Sequence, residues 1–157
     1  MEGFYEQFQT KDYTKVEKIF NCIIIILVII IVLLLITLNF IIVTPFALLY
    51  LGVILLQHNI IVEYEYELTG YELSICKIMK KSRRKEIASF NIKEISSIRD
   101  VDKVGKDIKI KKAYLKNTEN KPMVYLFNSS AGVIGYELSA DEKLINLIKK
   151  VNPLAFY

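Results

Sequence analysis

The sequence has no Trp, a single His, two Cys and three Pro in 157 residues. One His and two Cys leave no Cys/His set for a zinc site and no Ser–His–acid combination with a spare imidazole. Six Gly, scattered, form no glycine-rich phosphate loop. Two Cys exclude a disulfide-stapled secreted module. Charge is missing from one block: from Ile19 to Val62 no residue is formally charged. An ordinary soluble domain does not have such a block, and a disordered chain does not have this much apolar residue.

That block reads as membrane-spanning. As one helix, Ile19–Val62 would run about 66 Å, roughly twice the hydrocarbon thickness of a bilayer. Two helices joined by a tight turn fit instead. Thr37, Asn39, Thr44 and Pro45 are the breakers. They place the first span near Ile19–Leu38 and the second near Phe40–Ile60. A second option keeps Thr44 as N-cap and Pro45 at the first helical position, with the span continuing toward Val62. Acidic residues before the run (Glu2, Glu6, Asp12, Glu17) and its length argue against a cleaved signal peptide.

Lys and Arg set the expected topology. Lys11, Lys15 and Lys18 precede the first span, Lys77 to Lys85 follow the second, and the turn at Asn39 has none. Both flanks are therefore expected on the cytoplasmic side of the cell membrane, as a multi-pass protein with both termini inside. The expected division is a cytoplasmic N-terminal segment 1–18, a transmembrane hairpin 19–60 and a cytoplasmic domain 61–157. Cys22 falls in the membrane and Cys76 in that domain, so no disulfide is expected; both read as small buried apolar residues. Gln57, His58 and Asn59 mark the interface, with His58 closing the span. For the first segment, Phe4 and Phe8 fall at helical spacing. Two readings stay open, an interfacial amphipathic helix or a short helix running into the first span.

The domain carries 18 Lys and Arg against 13 Asp and Glu. Val62–Leu68 alternates, with Val62, Tyr64, Tyr66 and Leu68 on one face and Glu63, Glu65 and Glu67 on an expected solvent face. Thr69-Gly70 reads as a two-residue turn, pairing Leu68 with Tyr71, Tyr66 with Leu73 and Tyr64 with Ile75, and setting Glu67 opposite Glu72. A second hairpin turning at Lys80–Arg83 sets Ile75 opposite Ala88, Leu73 opposite Phe90 and Tyr71 opposite Ile92. Further strands are expected around Ile108–Tyr114, Met123–Phe127 and Val133–Leu138, with turns at 117–122 and 128–132. The triplet Ile92, Ile95, Ile98 fits a helical turn or an irregular strand. Ser139-Ala-Asp-Glu142 matches a capping box, opening a helix through Leu144, Ile148 and Val151 that Asn152-Pro153 stops. The fold class is α+β: a two-helix hairpin plus an antiparallel sheet or partial barrel, capped by a C-terminal helix.

The run VEYEYELTGYELSICKI, then KKSRRKEIASFNIKEISSI, then SADEKLINLIKKVNP resembles the bacterial pleckstrin-homology-like domain. With two apolar helices in front, the layout resembles small membrane proteins of Gram-positive bacteria. The resemblance implies a PH-like fold and a membrane location, and no agreed activity. A full version has seven strands; six are counted here, so one is either missing or lies in 91–104.

The leading candidate site is the basic hairpin: Lys77, Lys80, Lys81, Arg83, Arg84 and Lys85, with no acid among them. Anionic lipid attracts such a cluster by about 1 kcal/mol per residue near the surface. A solvated turn that keeps the domain soluble and blunts a sheet edge is the alternative. A second cluster, Lys103, Lys106, Lys109, Lys111 and Lys112, is interleaved with Asp100, Asp102 and Asp107. Aromatics at core spacing argue against nucleic acid. Glu63, Glu65 and Glu67, about 6.7 Å apart along a strand, read as a solvated face rather than acid–base machinery. No catalytic residue, metal or cofactor is expected. Two functions follow. One is a non-enzymatic membrane-anchored binding or adaptor module that meets a protein partner or anionic lipid headgroups. The other is an accessory subunit of a larger membrane complex, packing through its helices at Ala47 and Gly52.

Overall fold

A computed structural model describes residues 3–37, 40–105, 107–116, 120–129 and 132–157. Two compact units emerge. One comprises Met1–Thr10, Glu63–Ile78 and Arg83–Tyr157; the other comprises Lys11–Val62 and Met79–Ser82.

The second unit is the helical hairpin. Helix α1 runs Thr14–Ile36 and α2 runs Phe40–Ile60. Helix α2 has the bounds expected for the second apolar helix, whereas α1 begins more than a turn before Ile19. The expected break at Asn39 lies outside the described residues. Pro45 sits inside α2, not at its start. Without an N–H it leaves the carbonyl of Ile41 with no helical donor, while the Thr44 hydroxyl donates to the carbonyl of Phe40 at 2.8 Å. Only Leu27 in α1 and Val43 and Gln57 in α2 are buried, so most apolar side chains of both helices point outward. Cys22 is among the exposed side chains, not a buried one as expected; it and Cys76 are free thiols. His58 lies in the last turn, its Nδ1 2.9 Å from the carbonyl of Ile54.

The first unit is β-rich. Its strands are β1 (Phe4–Gln9), β2 (Val62–Thr69), β3 (Glu72–Met79), β4 (Arg83–Asn91), β5 (Ile95–Asp100), β6 (Lys109–Lys112), β7 (Met123–Ser129) and β8 (Gly132–Leu138), followed by helix α3 (Glu142–Val151). Two four-stranded sheets form, in the orders β1-β2-β3-β4 and β5-β7-β8-β6. The core between them takes Tyr66, Leu68, Leu73 and Ile75 from one sheet, Ile98, Tyr125 and Leu138 from the other, and Leu144 and Ile148 from α3.

Several expectations change here. Phe4–Gln9 is a strand, not a helix, and pairs antiparallel with β2, Gln7 opposite Tyr66 and Gln9 opposite Tyr64. Its inward side chains are Gln7 and Gln9, both buried, while Phe4 and Phe8 are exposed. The first hairpin turns at Gly70-Tyr71, one residue later than expected, because Gly70 takes φ 62° at the first central position. Tyr71 is therefore a turn residue rather than the strand partner of Leu68. Sliding the turn by one moves the pairing by two and keeps every side chain on its expected face. Glu67 and Glu72 each accept a hydroxyl, from Thr69 at 3.2 Å and Ser89 at 2.6 Å; the acid facing Glu67 is Glu6. The β3–β4 pairing holds: Ser74 and Ser89 face each other at 3.0 Å, and the N–H of Ile92 donates to the carbonyl of Tyr71 at 2.8 Å.

Ile92–Glu94 is a single 3-10 turn and Ile95–Asp100 a strand, which supplies the strand sought in 91–104. The strand at Lys109–Lys112 pairs parallel with β8, the one parallel contact among the described strands. The expected turns at 117–122 and 128–132 fall partly outside the described residues. The cap of α3 is Asp141, not Ser139: the Asp141 carboxylate accepts from the N–H of Leu144 at 2.8 Å. Ser139 is buried, its hydroxyl donating to the carbonyl of Asn120 at 2.8 Å. Asn152 ends the helix as expected and donates to the carbonyls of Ile92 and Ile95.

Candidate functional site

The six basic residues surround the β3–β4 turn. Lys80 and Lys81 both take left-handed conformations, φ 49° and 56°, which side chains with a Cβ adopt at a cost of about 1–2 kcal/mol each. The N–H of Ser82 closes the turn on the carbonyl of Met79 at 3.2 Å. Two positive φ values match the twist of flanking strands in a tight hairpin.

The helical unit holds this turn. The backbone N–H of Lys80 donates to the carbonyl of Ile61 at 2.9 Å. Its ammonium donates to Oε1 of Gln57 at 3.1 Å. Gln57 is fully buried and in turn donates from Nε2 to Oδ1 of Asn21 at 3.3 Å. The chain Asn21–Gln57–Lys80 thus ties α1, α2 and the turn. Gln57 lies three residues before the end of α2, about 4.5 Å along the axis. The Lys80 charge is therefore held at the ends of the helices by a neutral amide, and among the described residues no carboxylate forms an ion pair with it. Beside it Tyr13 donates its hydroxyl to the carbonyl of Val62 at 3.1 Å. Asp12 accepts from the N–H of Thr14 at 2.9 Å. Its carboxyl lies below the ordinary range, chiefly through hydrogen bonds from Thr14, with the Lys81 charge adding to them.

Lys77, Arg83, Arg84 and Lys85 belong to the β-rich unit. Arg84 lies 3.3 Å from Glu65. Arg83 and Lys85 are exposed, and no ion pair engages them among the described residues. The structure thus places two of the six basic residues with the helices and four with the sheets. Asn21 and Gln57 carry the site's hydrogen bonds; Gln57 was legible as an interface residue, Asn21 only as the lone amide interrupting the first apolar run.

The second basic cluster is largely paired off. Asp100 holds Lys121 at 2.6 Å and Lys103 at 3.7 Å, and its carboxyl is lowered, first by the hydrogen bond from Lys121. Lys112 lies 3.6 Å from Glu137, and Lys111 sits over the Tyr136 ring. Lys106 lies outside the described residues. The acidic face of β2 is not solvated as expected: Glu63 and Glu65 are buried and Glu67 half-buried. Strand β1 covers that flank, setting Phe8 opposite Glu65. Burial pushes the Glu65 carboxyl up, a hydrogen bond with Glu6 adds to this, and Arg84 opposes it. Burial also raises the Cys76 thiol. Among the described residues no three His, Cys, Asp or Glu side chains converge as metal ligands.

Neither a curated protein nor a solved structure matches the chain. A family model described as "Bacterial PH-like domain (DUF6106)" matches residues 1–157, helices and sheets together. The two facing sheets, the C-terminal helix against their core and the two apolar helices are thus parts of one family layout, and this chain belongs to the bacterial PH-like domain family DUF6106.

Proposed function

We propose that the chain is a non-enzymatic, membrane-anchored PH-like module whose basic turn rests on the anionic headgroups of the leaflet its helices enter. Helices of 23 and 21 residues are long enough to cross, and their outward apolar side chains need a hydrocarbon solvent. The Lys distribution on both flanks and its absence from the turn between the helices support a topology with both termini on the cytoplasmic side. The observation that carries the reading is the anchoring of Lys80 to Ile61 and Gln57. It keeps an unneutralised charge at the helix ends, where headgroups lie. The PH-like sheets then serve as the binding surface for a partner protein, through their edges.

The full chain is the object to test, because β1 pairs with β2 and a fragment starting at Glu63 would lack it. The protein has no Trp, so Ser82→Trp provides a single clean reporter at the turn. In vesicles carrying headgroup-level quenchers, the reporter should be quenched more with phosphatidylglycerol than with phosphatidylcholine. Salt should reduce the difference, and so should Lys81→Ser with Arg83→Ser. Equal quenching in both lipids at low salt would refute headgroup contact.

A further inference from the structure

Tyr50 lies ten residues from each end of α2, about 15 Å from either helix end. Tyrosines of spanning helices normally sit at the interfaces, where the hydroxyl meets water or headgroups. A phenol side chain is far shorter than the distance Tyr50 would need to cover. No described residue donates to or accepts from its hydroxyl. A hydroxyl left without a partner in hydrocarbon costs several kcal/mol by transfer data, about 4–8 to cyclohexane.

Beside it the helical unit has a groove of about 430 Å³, lined by Val28, Ile31 and Val32 from α1 and Ala47, Tyr50 and Leu51 from α2. The groove is apolar apart from the phenol. A lipid tail would fill it but offers no hydrogen-bonding atom at that depth. We infer that the groove is a dimer interface, packed against the Tyr50 face of a second copy, with the two Tyr50 hydroxyls bonded to each other across a two-fold axis along the membrane normal. This inference rests on the membrane-spanning reading above.

Three features fit a second copy rather than another occupant. Two copies inserted with one topology bring Tyr50 to the same depth without adjustment. A phenolic oxygen both donates and accepts, so it is its own complement in an isologous contact. From Ile19 to Val62 no residue carries a charge that would set the copies apart, and the small side chain of Ala47 leaves room beside each ring for close approach.

The test uses the full chain with Cys22→Ser and Cys76→Ser, in phosphatidylcholine–phosphatidylglycerol vesicles. With Leu51→Cys, oxidation should give a crosslinked dimer; Leu49→Cys, about half a turn away, should not. Energy transfer between labelled copies at increasing lipid dilution gives the association constant. Tyr50→Phe should weaken association about threefold to tenfold, the worth of a hydrogen bond inside a bilayer, and Ala47→Leu should weaken it further by filling the groove. A monomeric wild type, equal crosslinking from positions 49 and 51, or an unchanged constant for Tyr50→Phe would each overturn the inference. Alkaline carbonate extraction separates the two failures. A chain retained in the vesicles but monomeric refutes the dimer alone, whereas a chain stripped from them refutes the spanning reading as well.

Discussion

Gln9→Ala removes a side chain that is 6% exposed and uses both ends of its amide. Nε2 donates to the carbonyl of Ser139 at 2.6 Å, and Oε1 accepts from the N–H of Leu115 at 3.1 Å. After truncation the Ser139 carbonyl keeps a donor, because Gln7 reaches it at 3.1 Å. Among the described residues the Leu115 N–H has no such substitute. Two hydrogen bonds are lost at about 1 kcal/mol each, and the orphaned N–H of the half-buried Leu115 adds up to about 1–3 kcal/mol, with water reaching it offsetting part of it. The expected loss is about 2–4 kcal/mol. In a β-rich unit of about 100 residues that lowers Tm by about 10–20 °C. Phe8→Ala, on the opposite and exposed face of the same strand, should cost under about 1 kcal/mol. Amide hydrogen exchange of the full chain in detergent reports both effects. In the wild type, amides of 4–9 should be protected together with β2, and Gln9→Ala should release them. Similar small effects for the two variants, or exchange of 4–9 at free-peptide rates in the wild type, would refute the docking of β1.

Gly135→Ala should destabilise the second sheet by about 1–3 kcal/mol. A Cβ there would come within 2.9 Å of Val124 and 3.1 Å of Leu126, and a Tm unchanged within error would contradict that packing. Asp141→Ala should cost about 1–2 kcal/mol as a lost N-cap. It should also bring the Tyr5 phenol down from about 12, where burial and then the hydrogen bond to Asp141 hold it, as read by NMR of labelled tyrosine. Glu65→Gln tests the raised Glu65 carboxyl. A raised folded-state pKa contributes stability that is present below the ordinary carboxyl range and lost as pH rises through the raised value. The variant should therefore gain on the wild type from acid toward neutral pH, and a difference in Tm that does not change with pH would rule this out.

Apolar periodicity read well wherever apolar side chains face the core. It located the second helix, the alternation of β2, the faces of β3 and β4 and the stop at Asn152-Pro153. It failed at β1, where the pattern is inverted: Gln7 and Gln9 face inward while Phe4 and Phe8 face out. A rule that sends Phe inside and Gln outside must misread that strand. The partners that make the glutamines acceptable there are main-chain groups of residues 115, 139 and 141, over a hundred positions away. The cap of α3 failed for a related reason. Ser139 and Asp141 are both good caps locally, and Ser139 is committed instead to the carbonyl of Asn120.

The basic turn was visible as composition, but its anchoring to Gln57 was not, since the contact joins residues 23 apart through a side-chain bond that no periodicity encodes. By itself the sequence determined the two apolar helices, the strand-rich region and the placement of charge, because those depend on local pattern and on the solvent each segment tolerates. The tertiary structure alone decided which polar groups are buried together. It brought β1 back to β2, set Glu65 against Arg84 and Glu6, and fixed Lys80 to the helix ends. A buried polar group is stable only with a specific partner, and that partner is chosen by the fold rather than by its neighbours in the chain.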